Sequence, residues 1–191
     1  VKKLYLAFEM QSRTIIDNKG VNLTITRLCY QLIENHQDFS NTILIALQPR
    51  GTFLLDRIIA KLKEIKPDIN PKTGSIDITF YRDDFRRGNS PIVASRTNME
   101  HSIEGRRIVL VDDVLYTGRS VRSAMDALLD FGRPIQVELL VFIDRRFKRH
   151  LPIQPEYVGS RVDSLNSERV IMSWDEKEGK DEVQLYTIEE K

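Results

Sequence analysis

The chain predicts an α/β fold, a central mostly parallel sheet flanked by helices. Two observations carry this. Residues 42–48 (TILIALQ), 108–111 (IVLV) and 136–143 (QVELLVFI) are short apolar runs with little polar alternation, as expected of strands buried on both faces. Between them lie stretches of helical periodicity, and strands alternating with helices indicate a parallel sheet. The 191 residues are expected to form a single domain, 1–191, with a substantial core.

Each element has its own signature. The start, VKKLYLAFEMQSR, has a short apolar patch but no long apolar region or small-residue cleavage site, so export is not expected. Residues 23–36 place Leu28, Leu32 and Ile33 on one helical face with Cys29 beside them. Residues 52–65 carry Leu54, Leu55, Ile58, Ile59, Leu62 and Ile65, an amphipathic helix that stops before Pro67. Residues 75–81 (SIDITFY) alternate like a strand. The polar stretch 82–105, with Gly88, Pro91 and Gly105, reads as a long loop of the kind that serves as a flexible lid. A helix near 119–131 shows Val121, Met125 and Leu128 on one face and ends at Gly132 and Pro134. The tail, about 151–191, is strand-like at 168–174 and 182–188. It is expected to form a small appended antiparallel hood.

Bulk properties narrow the function. A hydrophobic fraction of 41% with 30% charged residues is ordinary for a globular protein, and the formal net charge of +1 marks no global nucleic-acid field. One cysteine excludes an internal disulfide and suits a reducing cytoplasm. No run of eighteen apolar residues exists, so no membrane partner is expected.

Residues 108–120, IVLVDDVLYTGRS, carry the chemistry. Asp112 and Asp113 end an apolar strand, where ligands sit in open α/β sheets. Thr117, Gly118, Arg119 and Ser120 then offer a glycine, two hydroxyls and successive backbone N–H groups at a helix start, which favours phosphate. The carboxylates could hold two vicinal sugar hydroxyls, so a sugar phosphate fits best. A GxxxxGK[ST] loop and a GxGxxG fingerprint are both missing. The plain alternative is a buried strand, an acidic turn and a capped helix, although adjacent carboxylates there repel each other and lose solvation.

Gln48-Pro49-Arg50-Gly51 forms a second strand-to-helix turn. Glycine permits close backbone approach, and Arg50 can neutralise anionic oxygens. Residues 77–87 (DITFYRDDFRR) lead into the long polar stretch and bring Tyr81, Arg82, Arg86 and Arg87, as a solvated charge run or as a lid over a polyphosphate.

The 108–120 segment closely resembles the 5-phosphoribosyl-1-pyrophosphate (PRPP) motif of type I phosphoribosyltransferases. The resemblance implies that family's fold, with Asp112 and Asp113 on the ribose hydroxyls. Val114, Leu115, Tyr116, Thr117, Gly118, Arg119 and Ser120 become the loop around the 5-phosphate, and Arg50 with Gly51 the pyrophosphate loop. In the family that loop often carries a cis peptide, which here falls at Pro49–Arg50. DITFYRDDF, VDDVLYTGRSVRSAMDALLDFGRP, LPI at 151–153 and EYVG at 156–159 together resemble bifunctional pyrimidine operon regulators with uracil phosphoribosyltransferase activity.

That likeness implies uracil and PRPP as substrates, UMP and pyrophosphate as products, Mg²⁺ carried mainly by PRPP, and a homo-oligomer of dimer size or larger. It also implies a base pocket near Tyr157, Val158, Val170 and Ile171, although these fit a core strand equally well. A messenger-RNA leader is a further implied partner. Thr26 and Arg27 match a family Thr-Arg pair, and Arg145, Arg146 and Lys148 form a basic patch around Phe147. The chain departs here: Tyr30 replaces a His, and Asp-Arg-Gly-His-Arg becomes Asp144-Arg145-Arg146-Phe147-Lys148 with an extra residue before LPI. A purine phosphoribosyltransferase and an RNA-binding regulator with little catalysis are the competing readings.

Overall fold

A computed structural model describes residues 10–81, 97–165 and 167–188. In chain order the elements are β1 (Met10–Ile16), α1 (Asn18–His36), β2 (Thr42–Leu47), α2 (Arg50–Ile65), β3 (Lys72–Ile76), a 3₁₀ turn (Thr79–Tyr81) and β4 (Arg107–Leu115). Then follow α3 (Arg119–Leu128), β5 (Gln136–Arg146), β6 (Tyr157–Asp163), β7 (Glu168–Ser173), α4 (Asp175–Glu178) and β8 (Glu182–Ile188). Five strands form a parallel sheet in the order β3-β2-β4-β5-β6. A second, antiparallel sheet has the order β1-β8-β7.

The apolar runs explain the layers. Along β2, β4 and β5 successive side chains face opposite ways, and both faces are covered. Leu44, Ala46, Val109, Val111, Leu140 and Phe142 pack with Leu28 and Leu32 of α1 and Leu54, Ile58 and Leu62 of α2. Ile43, Ile45, Leu47, Ile108, Leu110, Leu139 and Val141 pack with Val121, Ala124 and Leu128 of α3. Cys29 is buried in the first layer, where burial pushes its thiol up to about 12, so it is inert at neutral pH. Among the described residues no helix is long and apolar enough to cross a membrane.

Three expectations are corrected. The strand expected over 75–81 stops at Ile76, because Asp77 Oδ1 accepts the N–H and hydroxyl of Thr79 at 2.8 and 2.5 Å and turns the chain into the 3₁₀ segment. The lid expected over 82–105 is fixed in its last part. Asn98 bridges Ser75 with two 2.8 Å backbone bonds, the Asp77 N–H donates to Thr97 Oγ1 at 3.1 Å, and Ile103 is fully buried. Arg82, Arg86 and Arg87 lie outside the described residues. Finally, the hood does not begin at 151: Tyr157–Asp163 pairs with β5 as an edge of the main sheet, and the hood sheet takes its third strand from β1. Parallel pairing leaves no local turn signal, so nothing in the sequence around EYVG announces its pairing with β5.

Gly51 shows how tightly the site is set on the sheet. A Cβ there would lie 2.4 Å from the carbonyl oxygen of Val111 on β4, so α2 can begin against the central strand only with glycine. The close backbone approach that the sequence expects of this glycine is made to β4, which gives it a packing role. Gly51→Ala is expected to cost about 3 kcal/mol, read as a lowered denaturant midpoint. An unchanged midpoint would refute this packing role.

Candidate active site

Asp112 and Asp113 stand near the carboxyl end of β4, flanked by β2 and β5, with Asp112 opposite Val141. Two cavities meet there. One, of about 220 Å³, is lined by Asp112, Ser123 and every residue from Val114 to Val121. The other, of about 250 Å³, is lined by residues 47–50, Ile78, Thr79, Asp112, Asp113, Val114 and Ser120. Asp112, Val114 and Ser120 belong to both. The Tyr116-to-Ser120 loop and the turn before α2 therefore line adjoining cavities that share one wall.

The first cavity surrounds a helix start, a feature that can hold an anion. Gly118 is left-handed (φ +91°) and starts α3, and a Cβ on it would sit 3.1 Å from Ile153 Cδ1. The Arg119 N–H donates to Thr117 Oγ1 at 3.4 Å. From behind, the loop is held by the His150 N–H on the Thr117 carbonyl (3.0 Å) and Arg149 Nη1 on the Tyr116 carbonyl (2.9 Å). Arg149 also pairs with buried Asp144. Short local turns thus aim the helix start, with its partial positive charge, into the cavity.

The two carboxylates differ. Asp113 is buried and accepts Arg50 Nε at 2.7 Å on Oδ2. Asp112 Oδ1 accepts the Asp113 N–H at 2.9 Å, but burial and the neighbouring Asp113 charge push its carboxyl well above the usual carboxylate range. Arg50 also donates Nη1 to Glu178 Oε1 at 3.3 Å and Nη2 to the Met172 carbonyl. The cis peptide lies at Gln48–Pro49, one bond before the expected place.

The side chains expected at the base and at RNA line neither cavity. Tyr157 is 2% exposed, and its hydroxyl meets Glu138, His36 and Asn35 at 2.9, 2.9 and 3.0 Å. It is a core residue turned away from the cleft. Val158 is half-buried against the α3 layer, Val170 is buried beside α1 and α2, and Ile171 is exposed; none of the four lines either cavity. Thr26 donates to the Asn22 carbonyl at 2.9 Å within α1, and the Arg27 guanidinium holds the carbonyls of Val158 and Gly159 on β6.

Arg145 is no surface cation. It is 7% exposed, donates to Ser164 Oγ (3.1 Å) and the Glu168 carbonyl (2.9 Å), and covers the Tyr116 ring at 4.2 Å. Arg146 pairs with Asp163 at 2.5 and 2.6 Å, and Lys148 is half-buried. Sequence reasoning missed the brace from Arg149 to Asp144 and the contacts of Arg50 with Met172 and Glu178. The last two lie 122 and 128 positions from Arg50, so no local pattern announced them.

The Asp112 shift has a sign that can be tested. A carboxyl raised in the folded state contributes stability fully present below its unfolded pKa and lost as pH rises through its folded pKa. Asp112→Asn removes that loss. It is expected to raise the melting temperature of the ligand-free chain by a few degrees at pH 7, with the gain shrinking toward pH 4. Asp113→Asn breaks the pair with Arg50 and is expected to destabilise by about 1–3 kcal/mol. Thermal scans of both variants from pH 4 to 8 check this, and equal shifts in the two would refute the asymmetry.

A family model described as the phosphoribosyl transferase domain matches residues 11–177. A bifunctional protein PyrR of Desulfosudis oleivorans is 42% identical over 181 residues, covering 94% of this chain and 99% of that protein. The bifunctional protein PyrR of Bacillus subtilis is 38% identical over 183 residues, with coverage of 94% and 99%. Among solved structures, the hypoxanthine phosphoribosyltransferase of Trypanosoma cruzi superposes with a TM-score of 0.70 at 15% identity, covering 93% of this chain and 97% of that one. These structures share the type I phosphoribosyltransferase fold. The anion cradle, the paired carboxylates and the arginine turn are thus set in a chain that belongs to the phosphoribosyl transferase domain family.

Proposed function

We propose that the chain transfers a phosphoribosyl group from PRPP to uracil, giving UMP and pyrophosphate. The observation that carries this reading is the shared cleft: an anion cradle at one end, Arg50 at the other, and Asp112 in the wall common to both. The 5-phosphate sits on Thr117 to Ser120, the ribose over the two carboxylates, and pyrophosphate toward Arg50. As the bond from C1 to pyrophosphate lengthens, the sugar gains positive charge and the leaving group negative charge. Asp112 and Asp113 orient the hydroxyls and oppose the first charge, and Arg50 opposes the second.

Tyr81 fixes the start of the expected lid. Its hydroxyl donates to Asp130, and its carbonyl accepts the Ser123 hydroxyl at 3.0 Å. Arg82, Arg86 and Arg87 follow Tyr81 in the sequence. Mg²⁺ suits this site because a hard cation takes oxygen donors, which the carboxylate pair and PRPP both offer. Among the described residues no group of three or more His, Cys, Asp or Glu could hold a metal by itself, so PRPP would supply most of the ligands. Bound there, the cation would neutralise charge on pyrophosphate.

A regulatory role is a second reading, supported by relatives named bifunctional. An RNA strand would find Phe147, 76% exposed, and Lys148 beside it, in a homo-oligomer working in the cytoplasm. Filter binding to a pyrimidine-operon leader with and without UMP tests it; a steep salt dependence with no response to UMP would leave only nonspecific phosphate contact.

The transferase is tested by incubating the chain with PRPP, Mg²⁺ and uracil, hypoxanthine, guanine or adenine in competition. UMP is the expected product, and Asp112→Asn or Asp113→Asn should each lower turnover by about 100-fold or more. A purine nucleotide as main product would move the assignment to the other base class. Normal turnover in both variants would remove its basis.

A further inference from the structure

Arg50 is not waiting for a ligand in this structure. An arginine has five N–H donors in a planar fork, and three of Arg50's are taken, by Asp113, Glu178 and the Met172 carbonyl. Two of these partners come from the hood: Met172 from β7 and Glu178 from α4. The three contacts are unequal. The Asp113 bond is 2.7 Å with that carboxylate 9% exposed, whereas the Glu178 bond is 3.3 Å with that carboxylate 30% exposed. The Glu178 contact is the longer and the more hydrated, and so the cheaper to release.

Glu178 also stays in place when it lets go. Its Oε2 accepts the backbone N–H of Trp174 at 2.8 Å. Trp174 is itself fully buried, packed edge-on to Phe142 with ring centroids 5.8 Å apart. The carboxylate is therefore anchored within reach of the guanidinium that the leaving group needs.

Resting on the PRPP reading above, we propose that Glu178 is a positioning residue that sets the affinity for pyrophosphate by competing with it for Arg50. An arriving polyphosphate displaces Glu178 from Arg50 Nη1 and then stands beside an anchored negative charge. This weakens binding of PRPP at its pyrophosphate end, and it speeds departure of the product by returning the guanidinium to its internal partner. Charge, not shape, does the work, because glutamine keeps the side-chain outline and the bond to Trp174.

The test uses the full chain and magnesium pyrophosphate as probe, by isothermal titration, together with PRPP saturation kinetics. Glu178→Gln is expected to tighten pyrophosphate about three- to tenfold and to lower KM for PRPP by a similar factor, with kcat unchanged or reduced. Glu176→Gln is the matched control. It removes the same charge from the same short helix, but Glu176 pairs with Arg57, so both constants should hold. Glu178→Ala, which also loses the Trp174 bond, should tighten pyrophosphate too if its melting curve is intact. Unchanged or weaker binding in Glu178→Gln overturns the proposal, as does equal tightening in Glu176→Gln, which would indicate a general field. If the wild-type chain binds neither pyrophosphate nor PRPP, the site reading itself fails, and this inference with it.

Discussion

The pair of Arg50 and Asp113 is the contact on which the site depends. It ties the first turn of α2 to the end of β4, and through the other arms of the guanidinium it ties both to the hood. A carboxylate buried as deeply as Asp113 is costly without a partner, and a desolvated guanidinium likewise. Each satisfies the other, and the geometry is fixed because Gly51 brings the backbone of α2 against Val111. Asp112, one residue earlier, has no such cation as its first partner. Its carboxyl is left raised by burial and by Asp113.

The two halves of the cleft obey different physics. The anion cradle is local: a left-handed glycine, a helix start and consecutive N–H groups within a few residues, braced from behind by residues 149–153. The arginine end is assembled from β4, the turn before α2 and the hood, so its geometry depends on how the antiparallel sheet docks. Val170, Met172, Trp174, Val183 and Leu185 dock it by joining the same apolar layer as α1 and α2. A change in hood packing would therefore reach the leaving-group end before the phosphate end.

What the sequence made legible follows that division. The run from Ile108 to Ser120 could be read because strand, carboxylates and cradle are contiguous, and the layer order followed from apolar runs between amphipathic helices. β1 and β6 were not legible: one pairs with the far end of the chain, and the other is a parallel edge strand with polar positions showing. For Tyr157 the sequence left a base pocket and a core strand equally open, because composition cannot say that its hydroxyl meets Glu138, His36 and Asn35. Residues 97–105 looked like a loop because one bridge to β3 and one buried Ile103 leave no periodic trace.

The segment DRRFKRHL shows how much such a misreading can matter. By composition it is a basic surface around an aromatic, and a basic surface suggests phosphate. In the fold, Arg145 is buried under Tyr116 and fastens β5 to the start of β7, while Arg149 fastens Asp144 to the phosphate loop. Cations that neutralise buried carboxylates or cap carbonyls have little potential left to project outward, because their field is cancelled within the first contact. Exposed Phe147 and its neighbour Lys148 remain for an outside partner, but Arg146 is paired with Asp163 and Arg149 braces the Tyr116 carbonyl from behind. Any partner that pulled on this segment would pull on Tyr116 and Thr117, whose carbonyls Arg149 and His150 hold.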